Sequence, residues 1–287
     1  MKLTAVNNFI KLLSVLFSVH AFAQQIKIET DTILPEKQHK LELNLDIVSR
    51  YIWRGQSWGG NYMAVQPAVN YQYSEKLTLG FWATTNFKKK YFYPDGVTSA
   101  KGYQEIDFNV SYKINNYLTF QIWDYYWPSV DKVEGVDNSF FNYGKNGVKT
   151  VDAMLLFDFS EYNLPVEITL STLVAGNDYR YNSNGENPKQ NFTTYLELAY
   201  TWEDVYEKIE LYPFVGTVFN NQAEYYTSGD YDKISLVNVG IKATREFDLG
   251  KGITMPIVLN YIHNAATKNT ETFGKNFIVA AISLNYQ

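Results

Sequence analysis

The chain has 287 residues, with 25 Lys and Arg against 30 Asp and Glu, a formal net charge of −5. That near balance, with no basic run beyond Lys88-Lys89-Lys90, speaks against nucleic acid as a partner. There is no Cys, so disulfides and thiolate metal sites are excluded, and two scattered His after residue 23 make no metal-ligand cluster.

Lys2 and Lys11 flank an apolar stretch from Leu12 to Phe22 that ends in Ala21-Phe22-Ala23. A basic start, a short apolar run and a small-x-small site predict a secretory signal peptide over 1–23. The run is too short to span a bilayer as a helix, and no later segment reaches 18 consecutive apolar residues. Residues 24–40 carry no periodicity and are expected to form a periplasmic tail.

From residue 41 to 287 the chain falls into twelve alternating segments. A β-strand sends successive side chains to opposite faces, so alternation gives one apolar and one polar face. Strand one, 41–54, places Leu41, Leu43, Leu45, Ile47, Tyr51 and Trp53 on the apolar face, with Glu42, Asn44, Asp46, Arg50 and Arg54 opposite. Strand two carries Met63 to Tyr71, with Pro67 expected at a weak point of the ladder because it lacks a donor. Strand three (Leu77 to Phe87) follows a tight Ser74-Glu75-Lys76 turn. Strand four (Glu105 to Tyr112) leads through Asn115-Asn116, read as a two-residue turn with positive φ, to strand five, which ends in the aromatic run Trp123 to Trp127.

The second half repeats the scheme. A loop over 129–149 precedes strand six (Val151 to Phe159), and a turn through Asn163 leads to strand seven (Val166 to Val174). A Gly-, Asn- and Asp-rich loop from Gly176 to Asn191 precedes strand eight (Tyr195 to Tyr200). Strands nine (209–220), ten (234–247), eleven (ending at His263) and twelve (Ile278 to Tyr286) complete the set. Connections are short after even strands and long after odd ones.

An even number of strands of roughly eleven residues, with tight turns at one end and long loops at the other, predicts an all-β fold. The expected form is a transmembrane antiparallel β-barrel of about 12 strands, with short periplasmic turns and long extracellular loops in a bacterial outer membrane. A β-sandwich also alternates, but its strands are typically about half as long. Aromatic residues, 17% of the chain, gather near strand ends at Tyr71, Tyr73, Tyr112, Tyr117, Trp123, Trp127, Tyr200 and Trp202, as interfacial belts do.

Beside this pattern, several short runs carry a family likeness: Ser49-Arg50-Tyr51-Ile52-Trp53-Arg54-Gly55-Gln56-Ser57, Gln66-Pro67-Ala68, Gly80-Phe81-Trp82-Ala83-Thr84-Thr85-Asn86, Tyr125-Tyr126-Trp127-Pro128 and Thr194-Tyr195-Leu196-Glu197. In their order and spacing they resemble the TorF-type family of outer-membrane porins. The resemblance covers about residues 41–202, implies a pore and supplies no functional residues to carry over. Arg50 stands where that pattern has an acidic residue, and the chain ends Tyr286-Gln287 rather than on an aromatic.

The polar face collects Glu42, Asp46, Arg50, Arg54, Glu105, Asp107, Asp152, Asp158, Glu167, Glu197, Glu210 and Lys242. A charge inside a barrel can be hydrated, whereas Arg or Lys at mid-depth on the lipid face costs about 2–4 kcal/mol. Glu42, Asp46, Arg50, Arg54, Glu105, Asp107, Asp152 and Glu197 are therefore the lumen-lining selectivity candidates. Their excess of carboxylates predicts a weak cation preference. Arg54 is the leading candidate; its structural alternative is a brace to Glu105 or Asp107.

The expected function is passive diffusion of small hydrophilic solutes through a porin-like channel. The alternative is a non-conducting barrel that binds a ligand or partner through its loops. Outer-membrane lipid and lipopolysaccharide are the expected surroundings, with Lys88-Lys89-Lys90 able to meet lipopolysaccharide phosphates. No cofactor, metal site or catalytic residue is expected. An esterase or lipase would need a Ser beside a His, and the pattern places none beside His39 or His263.

Overall fold

The computed structural model describes residues 39–287 apart from 87–90, 93–97, 100–102, 130–133, 183, 187, 221, 224–225 and 227–233. The expected signal peptide, nearly all of the tail and the Lys88-Lys89-Lys90 run lie outside the described residues.

Twelve strands form the wall: β1 (Lys40–Val48), β2 (Ala64–Gln72), β3 (Leu77–Asn86), β4 (Gln104–Asn115), β5 (Leu118–Tyr126), β6 (Lys149–Asp158), β7 (Val166–Gly176), β8 (Thr194–Tyr200), β9 (Ile209–Val218), β10 (Ser235–Gly250), β11 (Ile253–Asn264) and β12 (Asn276–Tyr286). A further short strand, Trp202–Tyr206, prolongs β8 and pairs with the start of β9. Every strand is antiparallel to its neighbours in sequence, and β1 pairs with β12, so the sheet closes on itself. Closure leaves no edge unpaired, which the bilayer core demands of any sheet that crosses it.

The connections sort as the sequence implies. At one end, the turn end, lie tight reversals such as Glu207-Lys208 and Lys251-Gly252, in which both residues have positive φ. At the other, the loop end, lie the long connections between β1 and β2, β3 and β4, β5 and β6, β7 and β8, β9 and β10, and β11 and β12. Asn163, in the turn expected there, adopts φ 56°. The reversal after β4 instead uses Asn116 and Tyr117, and Asn115 contributes through its side chain, whose Oδ1 accepts from Tyr117 N at 3.0 Å. Pro67 interrupts the ladder on one side only: β2 is in continuous register with β1, but its pairing with β3 skips Gln66 and Pro67.

The outward positions are apolar and open to the surroundings: Leu41 and Ile47 on β1, Phe108 and Val110 on β4, Ile257 and Leu259 on β11, Ile278 and Ile282 on β12. Tyr71, Tyr73, Tyr112, Tyr117 and Trp202 are exposed at the turn end of this belt. The inward positions are polar over much of the wall, with Gln66, Thr84, Glu105, Asp107, Asn109, Asp152 and Ser283 all buried.

Two expectations are corrected. Strand one does not run to Arg54. It ends at Val48, bends at Ser49 and Arg50, and the following segment turns into the bore, where Tyr51 is buried and Trp53 packs inside rather than facing lipid. Trp123 and Trp127 likewise line the interior instead of an interfacial belt. In each case a large aromatic fills the loop-end half of the bore, and burying such rings against one another outweighs the interfacial position.

Candidate functional site

The inward segment is a miniature hairpin, Ile52–Trp53 against Gln56–Ser57, with Arg54 and Gly55 at its tip. Arg54 has φ 45° and Gly55 φ 85°, the pair of positive values that the tightest two-residue hairpin requires. Gly55 is needed twice over. A Cβ there would come within 2.9 Å of Asn238 Cβ and 3.3 Å of Val237 O, on the inner face of β10.

The tip drives Arg54 across the bore. Its Nη2 lies 3.2 Å from Asp152 Oδ2 on β6, and its Nη1 donates to Ser171 Oγ on β7 at 2.9 Å and to the Tyr226 hydroxyl. Ser171 Oγ is itself 2.7 Å from the Asp152 carboxylate, and Tyr125 donates to Asp152 Oδ2 at 3.3 Å. The guanidinium carbon sits 4.7 Å from the Trp53 ring centre and 4.4 Å from that of Tyr195. Planar Arg suits such a place, because it can hydrogen-bond at its edge while its faces rest on rings.

Around this charged tip the loop-end half of the interior is packed. Trp53 stacks on Tyr226 at 5.3 Å, and Tyr226 on Tyr195 at 5.4 Å. Trp58, just past the hairpin, meets Phe273 of a one-turn helix, α1 (Asn269–Phe273), at 5.0 Å. Asn269 Nδ2 of that helix donates to Tyr226 O at 2.6 Å. Tyr51, Trp53 and Tyr125 form a layer between two cavities. One of about 20 Å³, toward the loop end, is also lined by Trp58, Tyr103, Glu105 and Trp127. The other, of about 260 Å³, lies toward the turn end against Trp82, Asp107, Gln121, Trp123 and Met154.

The eight lumen candidates therefore divide. Arg54 and Asp152 meet directly; the partner is Asp152, not the Glu105 or Asp107 named in the bracing alternative. Glu105 accepts from the Tyr103 hydroxyl at 2.5 Å, and Asp107 Oδ1 from Tyr126 N at 3.3 Å. Glu197 accepts from Tyr195 and, at 3.4 Å, from Asn238 Nδ2, so it touches the cluster through the ring that Arg54 rests on. Arg50 stays at the loop end, its guanidinium 5.7 Å from the Phe277 ring centre. Asp46 sits in register with Ser283, and Glu42 is at the turn end, 3.1 Å from Lys40. Among the described residues, Glu42, Asp46 and Arg50 form no hydrogen bond with the cluster.

Ser171 and Tyr226 are not among the residues that the sequence singles out, and Tyr195 enters there only within strand eight and the Thr194–Glu197 run, not as a site residue. Ser171 and Tyr195 stand at inward positions of β7 and β8, so alternation could have found them. Tyr226 lies in a loop without period and carried no signal. His263 is on the outer surface, with Nδ1 2.8 Å from Asn276 Oδ1, and among the described residues no serine hydroxyl bonds to it.

Residues 34–163 match the model of a family described as bacterial protein of unknown function (Gcw_chp). No curated protein matches the chain. Among solved structures, a NanC porin is similar with a TM-score of 0.47 and 8% identity, over 85% of this chain and 99% of that one. A KdgM porin gives a TM-score of 0.41 at 5% identity, over 86% of this chain and 98% of that one. The COG4313 outer membrane channel from Pseudomonas putida F1 gives 0.41 at 10% identity, over 91% and 99%.

Proposed function

We propose that this protein is a porin-like channel of the bacterial outer membrane, for passive diffusion of small hydrophilic solutes, with its bore set by the inward hairpin of its first loop. The carrying observation is the docking of Arg54 on Asp152 and Ser171 inside a closed barrel. A barrel serving only as an anchor has no use for a charged hairpin tip placed across its axis. The TorF-type resemblance agrees with this reading. The short turns would then face the periplasm, the loops would face outward among lipopolysaccharide, and residues 1–23 would be the export signal.

Cation preference follows from the charges left over. Arg54 is neutralised by Asp152, while Glu105, Asp107 and Asp46 face the interior without an ion-pair partner among the described residues. Carboxylates that face the interior of a pore favour cations.

The packing of the loop-end half favours one second reading, a closed barrel that acts through its loops. Planar-bilayer recording of the folded chain separates the two. Discrete steps, with a reversal potential on the cation side in a salt gradient, support the channel. Folded protein that inserts without steps overturns it and leaves the closed barrel.

A further inference from the structure

The larger interior cavity has a composition that selects its occupant. Its walls are the faces and edges of Tyr51, Trp53, Trp82, Trp123 and Tyr125, and its polar groups are Asp107, Gln121 and Arg54. Two of the polar groups are already engaged. Arg54 is ion-paired with Asp152, and Gln121 Oε1 accepts from Trp123 Nε1 at 2.8 Å. Asp107 differs. It is 2% exposed, accepts one hydrogen bond, from Tyr126 N, and has no cation at ion-pair distance among the described residues.

We infer that this cavity is a binding site for a small organic ammonium ion, held between the aromatic faces with Asp107 as its counter-charge. A carboxyl group buried without a partner is costly to ionise, and a cation at its side offsets that cost. Aromatic faces carry negative quadrupole density and attract a cation. The organic part matters as much as the charge. A bare metal ion keeps its water and gains little from five rings, whereas methyl or methylene groups around nitrogen bury against them.

A neutral sugar is a poorer fit, because it needs several free donors and acceptors and the cavity offers one free carboxylate. Arg54 does not oppose the cation, since Asp152 cancels its charge at 3.2 Å. The inference deepens the channel reading by naming a solute class, and rests on that reading only for how the ion arrives.

The test uses the folded full chain in detergent micelles, titrated with tetramethylammonium chloride and followed by tryptophan fluorescence. Sodium chloride at matched ionic strength and glucose serve as comparisons. The expected result is a saturable change with tetramethylammonium alone, weakened at least tenfold in Asp107→Asn and unchanged in Glu161→Gln at the turn end. Trp123→Leu is expected to weaken it as well, and decides the matter if Asp107→Asn does not fold. No saturation beyond the sodium control, saturation by glucose, or undiminished binding in the folded cavity variants overturns the inference. Binding in micelles needs no conduction, so a silent bilayer counts against the channel alone and a failed titration against the ammonium site alone.

Discussion

Arg54 and Asp152 are 98 positions apart in the chain and 3.2 Å apart in the bore, with side chains 10% and 0% exposed. The contact joins the first loop to the sixth strand and fixes where the hairpin stops. Its removal is the most direct way to change the bore.

Arg54→Ala leaves Asp152 buried and uncompensated, a change that costs about 3–5 kcal/mol when a buried pair is broken. The hairpin is expected to lose its dock. Single-channel conductance should rise and the reversal potential should move further toward the cation value. Both unchanged would remove Arg54 from any role in the bore. Arg54→Lys should fall between, since Lys cannot bond Ser171 and Asp152 while stacking on two rings.

Gly55→Ala places a Cβ 2.9 Å from Asn238 Cβ on a backbone with φ 85°. The expected cost is about 1–3 kcal/mol, from left-handed strain and a forced retreat from β10. The thermal midpoint of the folded band on unboiled gels should drop. The same substitution at Gly135, where nothing lies within 4 Å of the added atom, shares the positive φ but not the clash. It should cost less.

The two faces of the wall should differ sharply toward charge. Leu259→Arg, at the middle of β11 on the outer surface, is expected to cost about 2–4 kcal/mol in lipid vesicles. Ser283→Arg places the same group inside, beside Asp46 in the register of β1 and β12, and should cost far less. Equal losses in urea titrations would mean that the faces are wrongly assigned.

Outside the barrel, Lys149 Nζ is fully covered: 2.6 Å from Asp124 Oδ2, 3.5 Å from the Phe140 ring centre and 4.9 Å from that of Tyr143. This pins the loop between β5 and β6 onto the wall. Lys149→Ala leaves Asp124 with only the Tyr143 hydroxyl and the rings without their cation, a loss of about 2–3 kcal/mol to the loop. Limited proteolysis should then cut near Phe141 and Lys145 at a higher rate, while the barrel stays intact.

Two loop carboxylates should answer to pH in opposite senses. Burial pushes Asp178 above the ordinary range, although Thr193 bonds to it through both N and Oγ1. A raised value means that the folded loop holds its proton more tightly than the unfolded one, so its contribution falls as pH rises from the ordinary carboxylate value through the raised one. Asp137 is held below its ordinary value by Ser139 and Asn142. Its contribution is present above the ordinary value and is lost as pH falls through the lowered one. Hydrogen exchange, corrected for intrinsic rates, should show Thr193 less protected at neutral pH than in mild acid, and Ser139 more protected.

The wall was legible because a period of two leaves little freedom: shifting a strand by one residue would send Asp107 to lipid and Phe108 to the bore. The hairpin was not, because alternation persists through it. Leu45, Ile47, Tyr51 and Trp53 keep the same parity whether the chain continues upward or doubles inward. Arg54-Gly55 is a turn signal of the right kind, but a charged residue before Gly also suits a loop just outside a membrane. The brace to Asp152 depended on that fold-back, and Tyr226 on a loop with no period at all.

The seam between β1 and β12 has a consequence for how such a molecule is made. Leu43 to Val48 pair with Ala281 to Tyr286, and Lys40 reaches Gln287 across 247 residues. Until the last strand exists, the growing sheet presents two open edges, and each is a template for any neighbouring strand. Loop-closure entropy is a mild obstacle, about 0.6 kcal/mol for each doubling of length. The greater hazard is the wait. A newly made chain needs its edges covered until the eleven residues of β12 arrive, so the sequence that builds a wall without edges also calls for a temporary one.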